Sequence, residues 1–237
     1  MNVTSEGRCF AVRDGVAATA RMIHAAGLVE AFGHVSARTV DGFAITSTSP
    51  LADASPDDVL LVDADAPLAS QPGLPLETAM HALIYRRRDD VDAICRGHPP
   101  YAVVFGAGDS TQLPMRHGLG ALAGMKVPVY LDCNLVTDFV SAEAVTTSLG
   151  DGYALVLRAN GALAVGGDLV EAATRLYFLE ERARVALQCG QPTLISDETW
   201  RVRGGHSSAE MARAKCWFVD AFGGPRGRVA RLGTEAP

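Results

Sequence analysis

The stretch Ala93-Ile94-Cys95-Arg96-Gly97-His98-Pro99-Pro100-Tyr101-Ala102 organises the rest of the chain. Its apolar lead-in, residues 91–95, predicts a short buried strand, which the two prolines end because proline cannot donate to a sheet ladder. Arg96 and His98 are two positions apart and share a face if the strand persists. This pattern indicates either a site in a cleft or a surface arginine beside a histidine bonded to a turn.

The composition is that of a soluble globular protein. The 237 residues are 48% hydrophobic and 20% charged, which favours one domain spanning residues 1–237. The net charge of −6 and the lack of a Lys/Arg-rich block disfavour a nucleic-acid partner. No apolar run is long enough for a membrane span or a signal peptide, and five scattered cysteines without a CxxC pair disfavour disulfides and a zinc ribbon. We therefore expect a cytoplasmic protein with no membrane partner.

Predicted helices and strands alternate along the chain, which indicates an α/β layered fold. Helical patterns cover residues 12–26, 76–88, 141–149, 169–187 and 209–222. Strand patterns cover residues 43–46, 59–62, 127–131, 153–157 and 162–165. The chain has no GxGxxG or Walker motif, so the sequence does not support a site for a dinucleotide or a nucleoside triphosphate. It also has no GxSxG motif, so it does not support the nucleophile turn of an α/β-hydrolase.

Two polar residues outside the central stretch have ordinary structural explanations as well as functional ones. Glu77 lies in the first predicted turn of a helix, where a carboxylate suits the helix dipole, and it shares a face with His81. Asn160 precedes Gly161 between two strands, which predicts a tight turn with Asn160 in the left-handed conformation.

Five blocks occur in a fixed order along the chain. They are Gly33-His34-Val35-Ser36-Ala37-Arg38 with Asp41-Gly42, Ile45-Thr46-Ser47-Thr48-Ser49, Leu76-Glu77-Thr78-Ala79-Met80-His81, His98-Pro99-Pro100-Tyr101-Ala102-Val103, and Leu157-Arg158-Ala159-Asn160-Gly161 leading into Gly166-Gly167-Asp168-Leu169-Val170-Glu171-Ala172. Together they resemble the class II aldolase/adducin family over about residues 10–190. The Gly-His-Val-Ser and His-Pro-Pro-Tyr-Ala motifs are closer to its decarboxylase-like branch than to its sugar-phosphate aldolases.

The resemblance implies a three-layer α/β/α domain with a central, largely antiparallel sheet. Its core is expected at about residues 10–190, followed by a C-terminal extension over residues 191–237. Members of the family are often tetramers with the site at a subunit boundary, so a homotetramer is the expected assembly.

The resemblance also implies a divalent-metal site, from which this sequence departs. The family holds its metal with a His-x-His pair and a third His before a Gly, and a helix Glu acts as acid and base. Glu77 and His98 match, but Arg96 replaces the first His and Asn160 the third. Arginine has no lone pair to give, and a neutral amide oxygen is a poor zinc ligand. The sequence therefore predicts a degenerate metal site and no cofactor.

The phosphate pocket of the aldolases is also altered. Their Asn in the Gly-Asn-Val-Ser block is His34 here, and their Ser-Ser before the helix Glu is Pro75-Leu76. Their catalytic Tyr from a neighbouring subunit falls near Gly118, next to His117. A sugar-phosphate substrate is therefore not expected.

The first hypothesis is a metal-independent lyase for a small carboxylated, non-phosphorylated substrate. Decarboxylation or retro-aldol cleavage is implied by the resemblance, with isomerisation as a further option. Arg96 would supply the cation in place of the metal, and Glu77 and His98 would transfer protons. The candidate substrate-binding residues are His34, Ser47, Thr48, Asn160 and His117.

Two alternatives stay open at this point. One is a non-catalytic binding or scaffold protein on the same fold, for which loss of ligands is expected. The other is a lyase with a remade site for Zn, Mn or Fe, built from Glu77 and His98 together with His34 or His117.

Overall fold

A computed structural model describes residues 5–64, 66–68, 71–190 and 195–224. Their helices are α1 (Ser5–Ala25), α2 (Thr78–Arg87), α3 (Pro100–Gly106), α4 (Phe139–Leu149), α5 (Leu169–Gln188), α6 (Asp197–Gly204) and α7 (Ser207–Phe222). Their strands are β1 (His34–Arg38), β2 (Gly42–Thr46), β3 (Val59–Asp63), β4 (Ala93–Gly97), β5 (Val129–Tyr130), β6 (Ala154–Leu157) and β7 (Gly161–Gly166).

The strands form one sheet in the order β3-β2-β1-β4-β7-β6-β5. Every neighbouring pair is antiparallel except β5 and β6, which are parallel. The expected largely antiparallel sheet is therefore confirmed, and β4, which carries the central stretch, lies in its middle.

Two apolar clusters, one on each face of the sheet, hold the layers together. Alternate residues of β4 point to opposite faces: Cys95 packs with α1, α3, α5 and α7, whereas Ile94 packs with α2 and α4. Phe218 of α7 is fully buried in the first cluster. Helices on both faces of a sheet make three layers, which confirms the expected fold class.

Two features predicted around the site differ in detail. The strand β4 begins at Ala93 and includes Arg96 and Gly97, because both residues pair with β7 before the prolines end the ladder. The helix α2 begins at Thr78 and leaves Glu77 at its N-cap without a side-chain capping bond. The helix-stabilising explanation for Glu77 therefore does not describe its contacts.

The tight turn between β6 and β7 is present, but Asn160 is not its left-handed residue. The amide of Asn160 donates to the Leu157 carbonyl (3.0 Å), so Ala159 occupies the third turn position and takes the positive φ of 50°. Gly161 is needed for close approach, since a Cβ there would lie 2.1 Å from the Gly97 carbonyl oxygen. The turn is thereby held against the end of β4.

No helix of the described residues is long and apolar enough to cross a membrane.

Candidate active site

The predicted site residues converge at one edge of the sheet, where β1 begins and β2 and β4 end. His34 lies opposite Arg96 in the pairing of β1 with β4, so both side chains project from the same face. The register of β1 with β2, continued one step past the end of β2, brings Ser47 opposite His34. The β6–β7 turn reaches the same edge because Gly97 pairs with Ala162.

Arg96 and Glu77 form a buried ion pair at the centre of this edge. Nε of Arg96 is 2.8 Å from Oε2 of Glu77, and the two side chains are 1% and 6% exposed. The contact brings two opposite charges together away from water. Burial lowers the pKa of Arg96 and the Glu77 charge opposes this; the guanidinium stays charged at any working pH.

Arg96 also holds His98. Its Nη1 is 2.6 Å from Nε2 of His98, and Nδ1 of His98 is 2.9 Å from the Phe32 carbonyl oxygen. Because a carbonyl can only accept, Nδ1 carries the ring proton and Nε2 accepts from Arg96. Burial, and then the Arg96 charge, lower the pKa of His98. His98 is therefore a neutral base whose lone pair is directed at the guanidinium.

Nη2 of Arg96 is the free part of the guanidinium. It donates no hydrogen bond to any residue in the described part of the chain. The site therefore offers one unfilled cationic donor beside two groups that can accept a proton, Glu77 and His98.

His34 is partly buried beside Arg96. Burial lowers the pKa of His34 well below its usual 6.5, and the charges of His81, Arg96 and His98 lower it further. His34 is thus a second neutral imidazole at the site.

The other predicted residues at this edge make fewer contacts with the Arg96, Glu77 and His98 side chains. Asn160 contacts His98 closely enough that its side chain raises the pKa of that imidazole, although it is the weakest of the influences on it. Ser47 is partly buried and accepts from the Ser49 amide (3.2 Å), and Thr48 is exposed on the same loop.

The structure does not bring His117 to this edge within one subunit. His117 precedes a short 3-10 segment, and its pKa is lowered by burial and shaped by Glu181, Arg182 and Arg184, which lie on α5 across the sheet. No described contact joins His117 to Arg96, Glu77 or His98, and its role in substrate binding stays a prediction. The residue is too far along the chain from Arg96 for the sequence to show which face it would occupy.

Sequence reasoning missed a buried group directly behind the site. Ser36 on β1 contacts Nδ1 of His81 at 2.7 Å and the hydroxyl of Tyr85 at 2.8 Å. The signal was present, because Glu77, His81 and Tyr85 follow one another at i, i+4 and i+8 along one face of α2. This spacing predicts that Tyr85 lies on the same helix face as Glu77 and His81.

The donor set does not fit the divalent metal that the resemblance implies. No three His, Cys, Asp or Glu side chains of the described residues are placed to hold an ion together, and this includes Glu77, His98 and His34. The lone pair of His98 that would bind a metal is directed at Arg96, and a fixed cation there repels a second cation.

Comparisons with known proteins show which family and fold the chain shares. A family model described as Class II Aldolase and Adducin N-terminal domain matches residues 14–187. The 3,4-dihydroxyphthalate decarboxylase of Arthrobacter keyseri is 28% identical over 195 residues, covering 74% of this chain and 77% of that protein. The 3,4-dihydroxyphthalate decarboxylase of Terrabacter sp. (strain DBF63) is 31% identical over 200 residues, covering 77% and 82%. The crystal structure of l-fuculose-1-phosphate aldolase from Thermus thermophilus is 29% identical with a TM-score of 0.69, covering 79% of this chain and 99% of that one.

Proposed function

Because the chain belongs to the class II aldolase and adducin family, we propose that it is a carbon–carbon lyase that works without a metal ion and uses Arg96 as its cation. The observation that carries this proposal is the position of Arg96 between Glu77 and His98. The relatives named above are lyases.

Arg96 would stabilise the oxygen on which charge collects when the carbon–carbon bond breaks. Its Nη2 is unfilled, and a buried, fixed donor stabilises a developing oxyanion far better than water does. The same planar fork can bind a carboxylate. Both uses fit a substrate that carries an anionic oxygen at or beside the bond that breaks.

Glu77 would move the proton, and His98 would do so once its Nε2 lone pair is released from the Arg96 guanidinium. In retro-aldol cleavage one of them takes the proton of a substrate hydroxyl, the carbon–carbon bond breaks as that oxygen becomes the carbonyl of the leaving compound, and the electron pair moves onto the enolate oxygen beside Arg96. The proton then goes to the carbon that carried the leaving group. In decarboxylation of a hydroxylated aromatic acid one of them takes the phenol proton and delivers it to the carbon that carries the carboxylate, while the phenolate oxygen beside Arg96 becomes a carbonyl. CO2 then leaves, and the electron pair of the broken bond restores the phenolate and the aromatic ring.

The proposed substrate is a small hydroxylated carboxylic acid without a phosphate. Two relatives act on 3,4-dihydroxyphthalate, which has carboxylates and hydroxyls but no phosphate. His34, Ser47, Thr48 and Asn160 lie at the edge where such polar groups need partners.

We propose a homotetramer as the assembly, with the site near a subunit boundary. Phe32, Leu76 and Leu135 are apolar and exposed by 75%, 70% and 51%. Phe32 supplies the carbonyl that binds His98, Leu76 precedes Glu77, and Leu135 precedes Val136, whose amide contacts Glu77. Exposed apolar residues around a site are typical of an interface.

The proposal is tested by CO2 release from dihydroxyphthalates and related hydroxy acids in buffer that contains a chelator. Arg96→Lys should lower kcat/KM by about 10²–10³-fold, the cost of removing one oxyanion donor, while the exposed Arg87→Lys control on α2 should match the parent. Activity should also fall as the pH drops below 6.5 through the lowered pKa of His98, because a protonated imidazole has no lone pair.

Turnover by Arg96→Lys at the parent rate would contradict the proposal. Activity that appears only when a divalent ion is added would favour a remade metal site. Tight binding of a carboxylate with no turnover would favour a binding protein.

A further inference from the structure

A chain of buried hydrogen bonds leads from α2 toward the site. The Tyr85 hydroxyl lies 2.8 Å from Oγ of Ser36, which lies 2.7 Å from Nδ1 of His81. All three residues are buried. A buried chain of this kind has a direction that depends on which atom carries each proton.

The direction of this chain follows from Tyr85. Burial raises the pKa of Tyr85, so the phenol keeps its proton, and Ser36 is its only hydrogen-bond partner among the described residues. The phenol therefore donates to Ser36, and the single hydroxyl proton of Ser36 goes to Nδ1 of His81. Burial lowers the pKa of His81 to about 3, so the ring is neutral and its one proton lies on Nε2.

Two enclosed nitrogens beyond this chain have no partner in the described part of the molecule: Nε2 of His81 and Nδ1 of His34. The two rings are neighbours, with centroids 5.7 Å apart and planes at 63°. The nitrogens of two rings this close can be joined by a direct hydrogen bond or by one bridging water. Because Nε2 of His81 is a donor, the two atoms satisfy each other only if Nδ1 of His34 is an acceptor.

We propose that Tyr85, Ser36 and His81 form a relay that fixes His34 as its Nε2–H tautomer, so that His34 and Arg96 present two N–H donors side by side. The relay residues are positioning residues, since none of them reaches the edge of the sheet.

The use of this pair of donors rests on the proposed function. His34 lies opposite Arg96 across β1 and β4, and Nη2 of Arg96 is unfilled. Nε2 of His34 makes no hydrogen bond to a described residue and is not among the enclosed atoms. Two parallel N–H donors match the two oxygens of one carboxylate, so we assign the pair to a carboxylate of the substrate.

The test is the tautomeric state of His34, measured by NMR on the full chain with ¹⁵N-labelled histidine. A protonated ring nitrogen and one with a lone pair have distinct ¹⁵N shifts, and His34→Gln and His81→Gln variants assign the two rings among the six histidines. We expect both rings to be neutral Nε2–H tautomers at neutral pH. An Nδ1–H tautomer or an imidazolium at His34 would overturn the proposal.

A variant that removes the relay sharpens the test. The double variant Ser36→Ala/Tyr85→Phe takes away both hydroxyls, so neither hydroxyl is left without the other as its hydrogen-bond partner. We expect the His81 and His34 shifts to move to values that average the two tautomers, while the exposed Tyr153→Phe control leaves them unchanged. Parent-like shifts in the double variant would overturn the relay, and if that variant does not fold, the measurement on the parent still decides the tautomer.

None of these measurements uses a substrate. A wrong tautomer would therefore overturn the relay and leave the lyase proposal standing, whereas a silent substrate screen would do the reverse.

Discussion

Arg96 and Arg182 are both buried, but their guanidinium groups are bound in opposite ways. Arg182 on α5 donates to backbone carbonyls alone, with its shortest bonds to Leu113 and Gly124 at 2.6 Å each, and it forms no ion pair with a described residue. Arg96 contacts a carboxylate and an imidazole and keeps Nη2 free. Every guanidinium nitrogen of Arg182 donates a hydrogen bond, whereas Nη2 of Arg96 donates none to a described residue.

This difference separates an arginine that holds the fold from one that serves a site. Carbonyl oxygens cannot take up a proton at working pH, so the surroundings of Arg182 are chemically inert. Glu77 and His98 can each gain a proton, so the surroundings of Arg96 can do chemistry. A buried ion pair is weak evidence for a stabilising role, so the Arg96 pair is not explained by stability alone.

The largest expected effect comes from splitting the Arg96 pair. Glu77→Leu or Arg96→Met alone should lower the free energy of unfolding by about 3–5 kcal/mol, because each leaves a buried charge without its partner. The double variant should recover most of that loss and still be inactive. Urea denaturation of the four proteins measures the cycle, and a double variant that is as unstable as the sum of the two singles would show that the pair is structural.

Removing Arg182 should have a cost of similar size that no second substitution recovers. Arg182→Met leaves the carbonyls of Leu113 and Gly124 without their short charged partner, at about 1–3 kcal/mol each, so we expect a loss of roughly 2–6 kcal/mol. Activity per folded molecule should stay within a few-fold of the parent. A selective loss of kcat in a fully folded variant would break the contrast between the two arginines.

The smallest expected effect on stability comes from Glu180, two residues before Arg182. It joins α5, which carries Arg182, to the start of α3, which follows His98. Its buried carboxylate accepts from the amides of Tyr101 and Ala102 at 2.8 and 2.9 Å, at the start of the helix that follows His98. Burial raises its pKa from 4.5 to about 7. The unfolded chain therefore releases this proton first, and the parent loses stability as the pH rises from about 4.5 to about 7.

Glu180→Gln should remove this pH dependence. Relative to the parent, the variant should gain roughly 1–3 kcal/mol across that pH window and nothing further above it. Unfolding curves at several pH values measure the difference, and the neighbouring Glu181→Gln serves as the control. Parallel stability curves for Glu180→Gln and the parent would show that Glu180 does not titrate as described.

The regular elements can be predicted from the sequence because apolar periodicity and turn residues are local signals. The long helix α5 and the paired strands β6 and β7 follow their patterns closely. The turn residue is harder: Asn-Gly favours a left-handed asparagine, but the turn spans Leu157 to Asn160, which gives a positive φ to Ala159. The Asn-Gly pair alone does not distinguish these two placements of the turn.

The site can be predicted as a set of residues but not as a set of contacts. Arg96, Glu77 and His98 follow from their motifs, yet the tautomer of His98 depends on the carbonyl of Phe32, 66 positions earlier in the chain. The neighbours of His117 on α5 are likewise set by tertiary packing, which the local sequence does not show.

The central claim is that Arg96 takes the place of a metal ion, and its most direct test is the metal content of the protein purified without a chelator or affinity nickel. We predict far less than one equivalent of zinc, manganese or iron per chain by elemental mass spectrometry, and no rise in Tm when these ions are added. About one equivalent of any of them, with a rise in Tm on its addition to stripped protein, would contradict the claim and assign the chemistry to a remade metal site.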